Sequence, residues 1–125
     1  MNNYAEADSL FKEKQKDGAV AVTIAKNTLL VKEDKSTYGL TFSGTPIIKY
    51  YRNGAIKLIE DDCGTTVLRT QLNKYTPDCI HVVQRKFRFY VEFYDIVIPL
   101  NDALIFNPEK MEICDDPCID LFFGV

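Results

Sequence analysis

Between Ala19 and Ile98, outside one stretch near residues 65–75, runs of apolar residues recur at every second position, and that period constrains the fold more than any other feature of the chain. Successive side chains of a strand point to opposite faces, whereas a helix repeats every 3.6 residues, so runs of period two call for sheet. The alternation is cleanest where Phe87, Phe89, Val91 and Phe93 share one face and Arg88, Tyr90, Glu92 and Tyr94 the other. Cys79 to Gln84 supplies the partner of that strand, with the hairpin turning around Arg85-Lys86. Earlier in the chain Val20, Val22 and Ile24 form one apolar face, Lys26-Asn27 turns the chain, and Thr28 to Val31 returns it. After a polar loop at Glu33 to Ser36, Tyr38, Leu40 and Phe42 mark a third strand. Ser43-Gly44 breaks it, and Pro46 starts the next strand, a place where its missing N–H is tolerated. Ile96-Val97-Ile98 runs to Pro99, and Leu104-Ile105-Phe106 adds a last short strand.

Asn53-Gly54 between two apolar runs is the strongest local turn signal. It predicts a two-residue type I′ hairpin, in which both turn positions take positive φ. That loop would pair Arg52 with Ala55, Tyr51 with Ile56, Tyr50 with Lys57, Lys49 with Leu58 and Ile48 with Ile59. One face would then carry Ile47, Tyr51, Ile56 and Leu58, and the other Ile48 and Ile59, so both faces would be at least partly covered.

Two segments depart from period two. Residues 3–17 read as a helix with a narrow apolar stripe (Ala5, Leu10, Phe11), acids early, lysines late, and Gly18 as its stop. So thin a stripe suits a helix docked on a sheet edge, or one partly frayed. Thr65 or Thr66 caps a second, short helix running to about Tyr75, with Val67, Leu68 and Leu72 facing inward, and Pro77 ends it. The expected architecture is therefore α+β: a strongly bent antiparallel sheet of about seven or eight strands, barrel-like or a meander, with an N-terminal helix and one short helix between hairpins.

A chain of 125 residues suits one domain with a core of its own. We divide it into an N-terminal helix (1–18), a sheet body (19–106) and an acidic C-terminal segment (107–125). With 46% hydrophobic and 26% charged residues it is not a disordered composition. The formal charge of −3 gives no overall attraction for nucleic acid or anionic membrane. No apolar run approaches the roughly 18 residues of a membrane span. Met1-Asn2-Asn3-Tyr4-Ala5-Glu6 lacks the basic and apolar regions of a signal peptide. The expected compartment is the cytoplasm, where Cys63, Cys79, Cys114 and Cys118 stay reduced.

From Gly44 to Phe93 the order of elements reads Gly-Thr-Pro-Ile-Ile-x-Tyr, Asn-Gly-x-Ile-x-Leu, Cys-Gly-Thr-Thr-x-x-x-Arg-Thr-x-Leu-Asn-x-Tyr, Val-Val-Gln-Arg and Phe-Tyr-Val. It resembles a group of small uncharacterised proteins of phages, plasmids and cyanobacterial genomes. The aromatic residue that follows the glycine pair in that group is missing here, where Cys63-Gly64-Thr65-Thr66 stands. The resemblance implies a mobile-element origin, and with it a host cytoplasm as the place of action. It assigns no activity.

Three constellations invite a functional reading, and each has a plainer one. Glu109, Glu112, Asp115, Asp116 and Asp120, followed by Phe122 and Phe123, form an acidic segment with an apolar end, which either docks on the body or engages a partner. Spaced carboxylates can imitate nucleic-acid phosphates and occupy a basic groove of a host or defence protein; chiefly because no catalytic signature stands out in the chain, we expect a non-enzymatic interaction protein or inhibitor. Arg85, Lys86 and Arg88 beside Tyr90, with Arg69 and Lys74 on the second helix, could bind single-stranded nucleic acid through charge and stacking. A charged hairpin tip over a buried Phe row explains the same letters. Third, Cys79 and His81, two residues apart, could form a nucleophile–base couple, but such partners more often come from separate elements. The cysteine spacing does not match paired zinc knuckles, and no glycine-rich phosphate loop is present, so no metal or cofactor is expected.

Overall fold

The computed structural model describes residues 1–59, 65–86, 88–100 and 104–115. These contain helices α1 (Tyr4–Lys14) and α2 (Thr65–Lys74). The strands are β1 (Ala21–Ala25), β2 (Thr28–Asp34), β3 (Thr37–Phe42), β4 (Thr45–Tyr51), β5 (Ile56–Leu58), β6 (Ile80–Arg85), β7 (Arg88–Phe93), β8 (Ile96–Pro99), β9 (Leu104–Asn107) and β10 (Glu112–Asp115). The α+β class with an N-terminal helix and a short helix between hairpins is as expected. The strands divide between two antiparallel sheets, and neither closes into a barrel. One has seven strands in the order β1-β2-β3-β4-β5-β9-β10, and the other three in the order β6-β7-β8.

Cross-strand registers build the buried face of the large sheet as two transverse rows. Val22, Leu30, Leu40, Ile48 and Leu58 form one row, and Tyr38, Tyr50, Ile56, Phe106 and Ile113 the other. All are buried except Ile113, which packs against the cluster's margin. Helix α1 lies over Tyr38, whose ring meets Tyr4 at 5.3 Å and Phe11 at 5.4 Å. Its ends differ from the expected 3–17. Asn3 caps it by accepting from the Glu6 N–H at 2.8 Å, and it stops at Lys14 because the residues that follow have nothing apolar to bury. Gly18, at φ +74, then helps turn the chain toward β1. Ala7 and Phe11 carry the buried stripe, whereas Ala5 is exposed.

The small sheet meets the same core from another side. Ile80 and Val82 of β6 and Phe89, Val91 and Phe93 of β7 point into it, and Phe93 touches Phe106 of β9 with ring centroids 5.3 Å apart. Helix α2 bridges the two sheets, burying Leu68 and Leu72, while Tyr75, just beyond it, accepts the Tyr50 hydroxyl hydrogen at its backbone oxygen. Burial pushes the Tyr50 phenol well above its ordinary pKa. Of the apolar residues expected to face inward, Val20 lies exposed ahead of β1, and Val67 is exposed on α2.

The β4–β5 hairpin corrects the predicted register by one residue. Ile48 pairs with Leu58, Lys49 with Lys57 and Tyr50 with Ile56. The loop has three residues, Arg52 to Gly54, closed by bonds from Gly54 N to Tyr51 O and from Tyr51 N to Ala55 O, both 2.9 Å. Only Gly54, at φ +95, takes the left-handed conformation, so the type I′ reading fails. That turn sits one hairpin earlier: Ser43 and Gly44, at φ +51 and +81, join Phe42 to Thr45. The shift matters because a one-residue slip exchanges the faces of a strand. In the observed register Ile48, Tyr50, Ile56 and Leu58 share the buried face. Ile47 joins them because β4 carries a bulge, Leu40 pairing with Ile48 and Thr41 with Pro46.

The sheet also continues beyond residue 106. Strand β10 pairs along β9 inside the segment read as an acidic tail.

Candidate functional site

Registers within the small sheet decide which residues share its outer face. His81, Glu92 and Val97 form one row, Val83, Tyr90 and Pro99 the next, and Arg85 and Arg88 are direct partners at the hairpin tip. The chain turns after Arg85, with Lys86 at φ +48, one position later than expected. Phe87 lies outside the described residues. The inner residues Phe89, Val91 and Phe93 are buried as their alternation required. His81, Arg85, Lys86, Arg88, Val97 and Pro99 are exposed, and Tyr90 and Glu92 half-buried. This face therefore runs from a basic end at Arg85, Lys86 and Arg88, past a phenol and aliphatic groups, to an acidic end at Glu92 and Asp95.

The two lateral edges of the sheet differ. At the β6 edge the Asn73 side chain accepts from the Val82 N–H at 2.7 Å and donates to the Val82 oxygen at 2.9 Å. A single amide thus mimics one residue of a further strand. In sequence Asn73 reads as the end of a turn; its pairing with Val82 could not be inferred, because it depends on α2 lying beside β6. At the other edge, β8 exposes Ile96 by 51% and Val97 by 48%.

Other candidate residues separate. Arg69 and Lys74 lie on α2, with the Lys74 ammonium 5.4 Å from the centre of the Tyr75 ring, and do not join the hairpin tip to form one row. Cys79 packs partly buried against the core, whereas His81 is exposed on the outer face. The thiol instead accompanies Tyr94, and its hydrogen bonding raises the phenol's pKa. The Tyr94 hydroxyl donates to the Pro108 oxygen at 2.7 Å, tying the β7–β8 turn to the β9–β10 turn. Among the described residues no three of His, Cys, Asp and Glu gather as a metal site would require.

The acidic candidates are only partly described. Glu109 and Glu112 are exposed, and the Glu109 carboxylate lies over Gly54, its carbon 3.1 Å from where a Cβ would stand. Glu109 therefore packs one hairpin turn against another. Asp115 ends β10, and Asp116, Asp120, Phe122 and Phe123 lie outside the described residues, as do Cys63 and Cys118.

Fold and surface together define an open two-sheet α+β domain with one exposed, charge-polarised sheet face. No family model, no characterised protein and no solved structure matches the chain. Among the described residues no helix is long and apolar enough to cross a membrane.

Proposed function

We propose that this chain is a non-enzymatic interaction module that binds another protein through the outer face of β6-β7-β8. The observation that carries this reading is the exposed aliphatic content of that face and its edge, Ile96, Val97 and Pro99, set beside the Arg85–Arg88 pair. An apolar centre rimmed by charge favours association with a surface of matching polarity, the charges orienting the encounter. The class of partner suggested by the resemblance is a host or defence protein, which the module would modulate or inhibit in the cytoplasm.

Capture from a lysate tests the proposal. The expected result is one stoichiometric protein partner that resists nuclease treatment and is lost, by at least tenfold, with Arg88→Glu or Tyr90→Ala. Unchanged capture by both folded variants would remove this face from consideration.

A second reading is supported by Arg85, Arg88 and Tyr90 sharing one face. In it, two guanidinium groups hold phosphates while Tyr90 stacks on a base. It stands second because the two cross-strand rows of that face hold one phenol, Tyr90, and one imidazole, His81, and the imidazole lies at the acidic end beside Glu92. A gel-shift titration with single-stranded oligonucleotides distinguishes the two: salt-sensitive binding weakened by Arg85→Ala and Arg88→Ala supports nucleic acid.

A further inference from the structure

We infer that β8 is a self-association edge, pairing antiparallel with β8 of a second copy about a two-fold axis at Val97. The backbone leads to this register. Leu100 N donates to Phe89 O at 3.0 Å, which makes residues 89 and 100 a hydrogen-bonded pair in the β7–β8 ladder. Because such pairs alternate in antiparallel sheet, Ile98 and Ile96 direct their backbone groups to β7, and Val97 directs its N–H and C=O outward. Two copies related at Val97 exchange both of those bonds. Pro99, which has no N–H to give, then falls opposite Asp95 in the turn, at the end of the ladder.

Side chains agree with the same axis. Ile96 of one copy comes opposite Ile98 of the other, and the two Val97 side chains meet, covering the two large aliphatic groups that β8 leaves in solvent. Charge agrees as well. Arg85, Lys86 and Arg88 lie toward the C-terminal end of β8, while Glu92 and Asp95 lie toward its N-terminal end. Antiparallel pairing sets the basic end of each copy toward the acidic end of the other.

The assembly also closes. The opposite edge of the small sheet is capped at Val82 by Asn73, which blocks pairing along the middle of β6, so two copies give one six-stranded sheet. Four-residue strands cover much less than the roughly 1,200–2,000 Å² of a standard interface, so the dimer is concentration-dependent. The dimer covers Ile96 and Val97, which the protein-binding proposal also uses, but it leaves Arg85, Arg88 and Tyr90 open and doubles them, so Val97 variants test the dimer and Arg88 or Tyr90 variants test partner capture.

Sedimentation velocity of the full chain over a hundredfold range of concentration tests the inference. The wild type should pass from monomer to dimer, and Val97→Lys and Val97→Glu should each remain monomeric at the highest concentration with unchanged far-UV circular dichroism. Mixing the two variants should restore the dimer, because only a two-fold at position 97 sets Lys against Glu there. A wild type that stays monomeric throughout, a dimer that survives Val97→Lys, or a mixture that fails to associate would each overturn it.

Discussion

Tyr38 shows how much one side chain can tie together. Its ring is enclosed between Tyr4 and Phe11, and its hydroxyl donates to the Asp8 carboxylate at 2.7 Å. That bond, followed by the Lys12 ammonium 2.9 Å from the same carboxylate, holds Asp8 below the usual carboxylate range. A carboxyl whose pKa is lower folded than unfolded adds stability above its unfolded value, and that contribution is lost as pH falls through the folded value. Tyr38→Phe should therefore lower stability at pH 7 by about 1 kcal/mol. The difference from wild type should shrink below about pH 4, the ordinary titration range of Asp. Urea midpoints taken from pH 3 to pH 7 measure this, and a pH-independent difference would assign the whole effect to packing. Gly39 illustrates the opposite economy, a side chain left out. A Cβ there would stand 2.2 Å from the Glu33 carboxylate, which crosses the strand to meet Lys49 at 3.1 Å. Neither contact is legible in sequence, since Asp8 and Tyr38 lie 30 residues apart and Glu33 reaches Gly39 only through the strand pairing.

At the scale of elements, α2 does more than fill the interval between two hairpins. It buries Leu68 and Leu72, and through Asn73 it satisfies both outward backbone groups of Val82, closing an edge that would otherwise invite pairing. Removing the amide leaves a part-buried donor and acceptor without partners, so Asn73→Ala should cost about 1–3 kcal/mol. Amide exchange at Val82 should quicken with it, while amides of β2 and β3 stay as protected, relative to global stability, as in the wild type. Equal relative loss in both sheets would show that Asn73 acts through the helix and not through the edge. Hairpins were legible only to a point. The period named the strands, but the Asn53-Gly54 signal was satisfied by a three-residue loop with Gly54 alone at positive φ. Ser43-Gly44, which reads only as a break, makes the tighter turn.

For the whole molecule, the two sheets share one apolar interior, with Phe93 of the small sheet against Phe106 of the large one. A shared core predicts one cooperative unit. Phe93→Ala should cost about 3–5 kcal/mol, and it should lower the midpoints of near-UV and far-UV circular dichroism together. Two separated transitions would mean that the sheets unfold independently. By itself the sequence determined the strands up to β9, the α+β class and the inward row of Phe89, Val91 and Phe93, because alternation records which side of a strand meets the core. It also named Arg85, Arg88 and Tyr90 as residues that could act together. Tertiary structure alone decided that the strands divide into two open sheets, that β4 and β5 pair one residue from the predicted register, and that β6 is capped at Val82 while, among the described residues, no strand pairs with the outer side of β8. Those choices depend on contacts such as Ile56 with Phe106 and Asn73 with Val82, made between segments whose local patterns carry no information about each other.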